Sequence, residues 1–282
     1  MPTPFSIEQG IYGKKMIVNH SLNEEIILYM NKNKIFEIEL NYAKGWIGNN
    51  LYMVSNIFNL KSLIILDWNY KDLKNIAVKI PSLLDLSIST RCNSKINFAN
   101  YPNLEKCNIY WRPKAKSIFD CITLKELNIS HYKGKNTYEI SLLKNLEYLS
   151  IITSPLNTIT DLKHLDKLKY LGLFNLSKLS SLAGLETLIQ IEKLEIENCK
   201  QINNIDELIN LRNLNTLKIN NTEEISSLKP IAKLTKLNSL EFGGSTTILD
   251  GDLTPITKFK LDNIVFGNRP HYSHTQKELY KN

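Results

Sequence analysis

The residues in this 282-residue chain whose types and spacing could do chemistry are few. His271 and His274 stand three apart and could turn two imidazoles to one side, but a zinc site needs three or four ligands and the sequence forces no further Cys, Asp or Glu nearby. The same segment reads equally as a tail packed against the end of the fold. A cysteine nucleophile needs a positioned base and a lowered thiol pKa, and none of Cys92, Cys107, Cys121 and Cys199 comes with one. Without CxxC spacing or disulfide-scaffold density, the four are expected to be reduced. Glu195 and Glu197 share one face two residues apart, as paired glycosidase acids could. No pocket is implied around them, so a solvated acidic patch is the simpler account. P-loop, dinucleotide-fingerprint and GxSxG patterns are missing and the 11 glycines are scattered. The sequence therefore predicts a non-enzymatic protein with no cofactor and no metal.

The elements that would position these residues emerge from a repeat. The pattern LxxLxL, with Ile, Cys, Phe or Trp allowed at its apolar places, starts at Leu63, Leu83, Leu104, Leu124, Leu146, Leu168, Ile191, Leu214, Leu237 and Leu261, at steps of 20 to 24 residues. Its fourth and sixth places alternate as a half-buried strand does: Leu66 and Trp68 in the first unit, Leu194 and Ile196 in the seventh. Between strands the apolar residues recur every third position, as in Ile202, Ile205, Leu208, Leu211 and Leu214. That spacing fits a 3₁₀-like turn or extended coil better than a 3.6-residue helix. Equivalent strands of successive units must then stack in parallel.

On these residues, with LEIENCKQINNIDEL and LKINNTEEISSLKPIAKLTKL as the clearest stretches, the chain resembles the leucine-rich repeat family, in its short 22 to 23 residue bacterial, internalin-like form. The resemblance implies an α/β solenoid, a horseshoe with a parallel β-sheet on the concave face and 3₁₀, short-helix or coil segments on the convex face. Cys199 stands where the family commonly has Asn or Cys bonding to backbone in the turn; Thr222, Ser245, Ser154, Leu176, Arg112 and Tyr132 occupy that place in other units. The expected organisation is an N-terminal cap over 1–59, about ten repeats over 60–268 and a C-terminal cap or tail over 269–282. Within the first cap, KIFEIELN offers an extra strand at 35–40, and a short helix is expected from Leu22 to Asn31, capped by Asn19 or Ser21.

The net charge of +7 would suit a polyanion, yet only four of 35 basic residues are arginine, the side chain that phosphate and guanine contacts favour. No stretch is long and apolar enough to span a bilayer, and no basic-then-apolar leader opens the chain. A cytoplasmic monomer is expected, with export by a signal-independent route as the alternative.

The third, fifth and seventh places of each unit face outward. They include six acids, Asp67, Asp85, Glu126, Glu195, Glu197 and Glu241, against three lysines, Lys106, Lys193 and Lys218. An acidic face in a basic protein disfavours nucleic acid. Tyr110, Tyr148, Tyr170, Phe174 and Ile152, flanked by Trp111, His131 and Tyr132, form an aromatic centre of the kind that anchors protein interfaces. The expected partner-binding residues are therefore Asp67, Asp85, Tyr110, Trp111, Glu126, His131, Tyr148, Ile152, Tyr170, Phe174, Glu195 and Glu197. The expected function is protein binding on the concave face, by an adaptor, a delivered effector, or an inhibitor neutralising a bacterial toxin.

Overall fold

The computed structural model describes residues 4–48, 51–70 and 79–279. Parts of the expected caps, at 1–3, 49–50 and 280–282, and of the first repeat, at 71–78, lie outside the described residues. The chain forms two compact units, Met1–Ile129 and Ser130–Asn282.

The first unit opens with a hairpin, β1 (Phe5–Gln9) antiparallel to β2 (Lys14–Val18). Helix α1 (Glu24–Lys32) follows, buries Ile26, Ile27 and Met30, and carries Glu24 and Glu25 in its first turn. Its N-cap is Asn23, whose Oδ1 accepts from the Ile26 N–H at 3.0 Å, rather than Asn19 or Ser21. The short side chain immediately ahead of the acidic turn is the one that reaches the unpaired N–H groups. Then come β3 (Glu37–Asn41), β4 (Ser62–Leu66), β5 (Asp85–Ser89), β6 (Lys106–Tyr110) and β7 (Glu126–Ser130). β2 to β6 pair in parallel with unbroken register.

That register corrects the first repeat. Leu63 lies beside Leu86, and Ile65 beside Ile88, so Leu63 and Ile65 are the inward pair, both fully buried. The repeat begins at Leu60, three residues earlier than the pattern starting at Leu63. Ile64 and Leu66 take the outward places, and Leu66 and Trp68 are not core residues.

The second unit continues the scheme with β8 (Tyr148–Ile152), β9 (Tyr170–Phe174), β10 (Lys193–Glu197), β11 (Thr216–Asn220), β12 (Glu224–Ile225), β13 (Ser239–Gly243), β14 (Thr247–Ile248) and β15 (Asn263–Phe266). Its long strands pair in parallel, and β12 and β14 form a second small sheet. The three-residue apolar spacing produces 3₁₀ turns such as Thr160–His164, Asp206–Asn210 and Lys229–Lys233. Each inward residue, for example Leu171, Leu194 and Leu217, is fully buried and contributes roughly 1.5–3 kcal/mol of transfer energy.

A left-handed residue follows each of five consecutive strands and ends the run at the sixth: His131, Thr153, Asn175, Asn198 and Asn221, φ 52–61°, then Gly244 at 65°. Each of the first five donates its N–H to the carbonyl at the end of the next strand, from His131 to Ile152 at 2.9 Å through Asn221 to Gly243 at 3.1 Å. The following buried place holds Tyr132, Ser154, Leu176, Cys199 and Thr222. The next member is Thr246 instead of Ser245, because one extra residue enters that turn; its hydroxyl accepts from the Thr222 N–H at 3.1 Å.

The end of this unit is closed by aromatic rings. Phe242 and Phe266 stack at 4.7 Å, and Tyr272 meets both edge-on. Tyr272 Oη accepts from the Ile248 N–H, and α2 (Gln276–Leu279) follows, with Gln276 Nε2 donating to the Ile264 carbonyl.

Candidate functional site

The outward face of the second unit is built around two tyrosines. Tyr148 and Tyr170 sit on adjacent strands at paired positions, their rings parallel with centroids 4.0 Å apart. Two residues on, Gly172 has no side chain; a Cβ there would lie 2.4 Å from Phe174 Cε2 and 2.8 Å from Tyr170 Oη. Its absence lets both rings close over the strand. Ile152 pairs with Phe174, so the structure brings Tyr148, Ile152, Tyr170 and Phe174 together.

Charge is arranged around this patch. Tyr170 Oη donates to Glu195 Oε2 at 2.5 Å. Lys193 Nζ lies 3.0 Å from Glu195 Oε1 and 5.3 Å from the Tyr170 ring centre, a cation over a π-face. Lys218 bridges Glu195 at 3.5 Å and Glu241 at 3.6 Å, and Asn220 Nδ2 donates to Glu241 at 2.8 Å. Burial pushes the Glu195 carboxyl up, but the hydrogen bonds from Tyr170 and Lys193 and the two lysine charges outweigh it and hold the group below its ordinary value. Burial, followed by the bonds to Glu195 and Tyr148, raises the Tyr170 hydroxyl far above its ordinary value. The acid excess read from the sequence is thus largely met within the face. Glu197, at the end of β10, remains exposed.

In the first unit, Glu126 takes Lys106 Nζ at 2.6 Å. Asp85 accepts from Ser62 Oγ at 3.1 Å, and burial raises its carboxyl above the ordinary value despite that bond. Two acids that the sequence reading did not single out stand on β3. Glu37 accepts from the Ile11 and Tyr12 N–H groups at 3.0 and 2.5 Å, and Glu39 lies 3.0 Å from both Lys15 and Lys44.

Two expected contact residues present almost no surface. Asp67 lies beyond the end of β4, 6% exposed, with Oδ1 accepting from the Asn69 N–H, because the repeat starts three residues earlier than the pattern at Leu63. Trp111, at 8%, turns into the core at the end of β6, where its bulk is apolar filling. Tyr132 is buried too, donating to Glu139. His131 is half-buried in its left-handed turn; burial and then Lys133 lower its imidazole pKa.

Tyr110 has neighbours the pattern did not suggest. Trp68 meets it edge-on at 5.4 Å, and Arg91 lies 5.9 Å above the Trp68 ring. With Ile64 and Leu66 on the outward side of β4, they form an aromatic and aliphatic patch on this unit. The signal was Leu60-x-x-Leu63-x-Ile65, a better match to the repeat than the triplet beginning at Leu63.

Neither His271 nor His274 finds a ligand set. His271 Nε2 bonds the Ile248 carbonyl at 3.0 Å and its ring meets Tyr272, while His274 Nδ1 pairs with Ser273 Oγ. Among the described residues no three His, Cys, Asp or Glu side chains come together to hold a metal ion. A groove of about 340 Å³ lies away from the strand face, lined by residues including Phe98, Tyr101, Cys121 and Ile122. Burial pushes the Cys121 thiol there up to about 12, which suits it poorly to nucleophilic chemistry. Among the described residues no helix is long and apolar enough to cross a membrane.

No known family model matches the chain, and no curated protein matches it. Solved structures do. An internalin, InlF, from Listeria monocytogenes is 17% identical, with 90% of this chain aligned to 87% of that one at a TM-score of 0.62. Internalin C2 from the same species is 18% identical over 70% of this chain and 88% of its own, with a TM-score of 0.55. The functional domain of InlJ, also from Listeria monocytogenes, is 16% identical over 82% of this chain and 56% of its own, at 0.55. At such identities the likeness is one of fold. One strand and one tight return per repeat, over a buried core dominated by leucine and isoleucine, and these structural neighbours lead to the same conclusion: the chain has the leucine-rich-repeat fold, as the internalins do.

Proposed function

We propose that the protein is a non-catalytic binding module that receives another protein on its outward strand face. The observation that carries this reading is the Tyr148–Tyr170 stack, locked by Glu195 between two lysines and left partly open to solvent. Rigid aromatic rings give large contact area at little entropic cost, and tyrosines held within a polar rim are typical hot spots. Nucleic acid fits poorly, because Glu195, Glu197 and Glu241 outnumber Lys193 and Lys218 on this surface. Catalysis finds no support in the groups assembled there: Glu195 is bound on both oxygens, and Tyr170 holds its proton far above neutrality.

The test is a double Tyr148→Ala, Tyr170→Ala variant, with Ile189→Ala on the connecting-segment side as control, measured against a partner recovered by pull-down. Loss of roughly 30-fold or more in affinity for the double variant alone is expected, about 2 kcal/mol. Unchanged affinity defeats the assignment of this face.

A further inference from the structure

The outer edge of β1 is a strand with nothing beside it among the described residues: the main sheet begins there. Which of its main-chain groups point outward follows from two bonds. Gly10 N–H donates to the Gly13 carbonyl at 2.7 Å, and Asn19 N–H donates to the Pro4 carbonyl at 3.1 Å. In an antiparallel pair, bonded and non-bonded residue pairs alternate. With Phe5 opposite Val18 and Gln9 opposite Lys14, the bonded pairs are therefore Pro4/Asn19, Ser6/Ile17, Glu8/Lys15 and Gly10/Gly13. Phe5, Ile7 and Gln9 turn their N–H and C=O groups away from β2, toward the free edge.

The side chains of this strand are sorted by face. Phe5 and Ile7 lie opposite Val18 and Met16, both fully buried, so they stand on the core side; Phe5 also meets Tyr29 of α1 at 4.7 Å. Yet Ile7 is 37% and Tyr29 40% exposed. The layer of core at this edge is incomplete. On the other side stand Ser6 and Glu8, the latter 3.8 Å from Lys15. Phe5–Gln9 contains no proline, no lysine and no bulge in its register, and its one charge, Glu8, stands on the polar side.

We propose that β1 pairs antiparallel with β1 of a second copy of this chain, about a two-fold axis at Ile7. In that register Ile7 faces Ile7 of the other copy, and Phe5 faces Gln9, all as bonded pairs. Every outward N–H and C=O of the strand then finds a partner, about six hydrogen bonds in all. Centring on Phe5 or Gln9 leaves some of them unmatched. On the polar side Ser6 falls opposite Glu8, so no like charges meet directly. On the core side the two Ile7 side chains cover one another and the apolar layer runs on into the second copy. The strand is complementary to itself in hydrogen bonding, charge and burial together, which favours an isologous dimer over an unrelated strand. The dimer does not depend on the binding role proposed above.

Sedimentation of the full chain over a concentration series tests this, with Ile7→Lys, Ser6→Lys, Ile7→Cys and Ser6→Cys variants checked by circular dichroism. The wild type should show a monomer–dimer equilibrium. Ile7→Lys, which sets two cations face to face, should raise the dissociation constant at least about tenfold. Ser6→Lys, set against Glu8, should leave it equal or lower. Ile7→Cys should cross-link on mild oxidation, since directly opposed Cα atoms about 5.5 Å apart suit a disulfide, whereas Ser6→Cys should not. A wild type that stays monomeric up to about 1 mM, a dimer indifferent to Ile7→Lys, or equal cross-linking from positions 6 and 7 each overturn the proposal.

Discussion

Tyr170 on β9 donates its hydroxyl to Glu195 on β10 at 2.5 Å, and through that bond an aromatic patch and an ion-pair network become one unit. Glu195 holds Tyr170 with one oxygen while Lys193 and Lys218 hold the other. The ring is therefore fixed from both ends, by its stack on Tyr148 and by its hydroxyl. A surface fixed in this way loses little freedom when a partner arrives.

Removing the hydroxyl while keeping the ring isolates this link. Tyr170→Phe should lower unfolding stability by about 1–2 kcal/mol, at the low end for a bond to a charged group because the pair is partly solvated. The pH dependence follows from the sign of the Glu195 shift. A carboxyl lowered in the folded state stabilises above its unfolded pKa, and that contribution is lost as pH falls through the lowered folded value. Urea titrations should thus show the gap between wild type and Tyr170→Phe narrowing below about pH 4. A constant gap down to pH 2 contradicts the assignment.

Asp85 should behave in the opposite sense. Burial raises its folded pKa, so the unfolded chain ionises first and stability declines as pH rises from the ordinary carboxyl value toward the folded one. Asp85→Asn removes that penalty and can keep the Ser62 hydrogen bond. It should be neutral to stabilising at pH 7, by less than about 1 kcal/mol, with no benefit at pH 3. Clear destabilisation at pH 7 speaks against a penalised carboxylate.

The cysteines provide a reporter of folding. Burial pushes the thiols of Cys199 to about 11 and Cys121 to about 12 and raises that of Cys107 well above its ordinary value, while Cys92 is only 6% exposed. Since the thiolate is the nucleophile, iodoacetamide at pH 8 should label the native chain negligibly and all four positions in denaturant. Rapid native labelling at any one of them, read by mass spectrometry, counts against that burial.

Much of this fold was legible because strand alternation and three-residue spacing recur ten times, so errors in one unit are corrected by its neighbours. The mistakes fall where that redundancy fails. At the first repeat Leu60, Leu63 and Leu66 are spaced alike, and only pairing with Leu86 and Ile88 decides which are inward. The site suffered directly: Asp67 was placed on a surface it does not reach, while Ile64, Leu66 and Trp68 were passed over. Trp111 was misplaced for a different reason, since one residue past a strand alternation no longer predicts direction. The Tyr148, Tyr170, Phe174 and Glu195 group was legible by register alone. Its internal bonding was not, because the network at Glu195 draws side chains from three strands, Tyr170 of β9, Lys193 of β10 and Lys218 of β11.

The left-handed residue after each strand separates backbone geometry from side-chain identity. Asn175, Asn198 and Asn221 adopt φ near 55°, where asparagine is tolerated, and Gly244 does so freely. Thr153 holds φ 52° with a β-branched side chain, a conformation that costs an L-residue about 1–2 kcal/mol. Its N–H donates to the Phe174 carbonyl at 2.8 Å, so the turn cannot relax without breaking a bond at the end of β9. Thr153→Asn should therefore raise stability by about 1 kcal/mol, and the reciprocal Asn175→Thr should lower it by a similar amount. Asn175 also accepts from Asn198 Nδ2 at 2.9 Å, which adds a small further loss to the second variant. Denaturant midpoints at unchanged m-value would check both. If Thr153→Asn were destabilising, the threonine would be held by side-chain contacts outweighing its backbone strain, and the ladder could not be treated as a backbone requirement met by whichever residue tolerates it best.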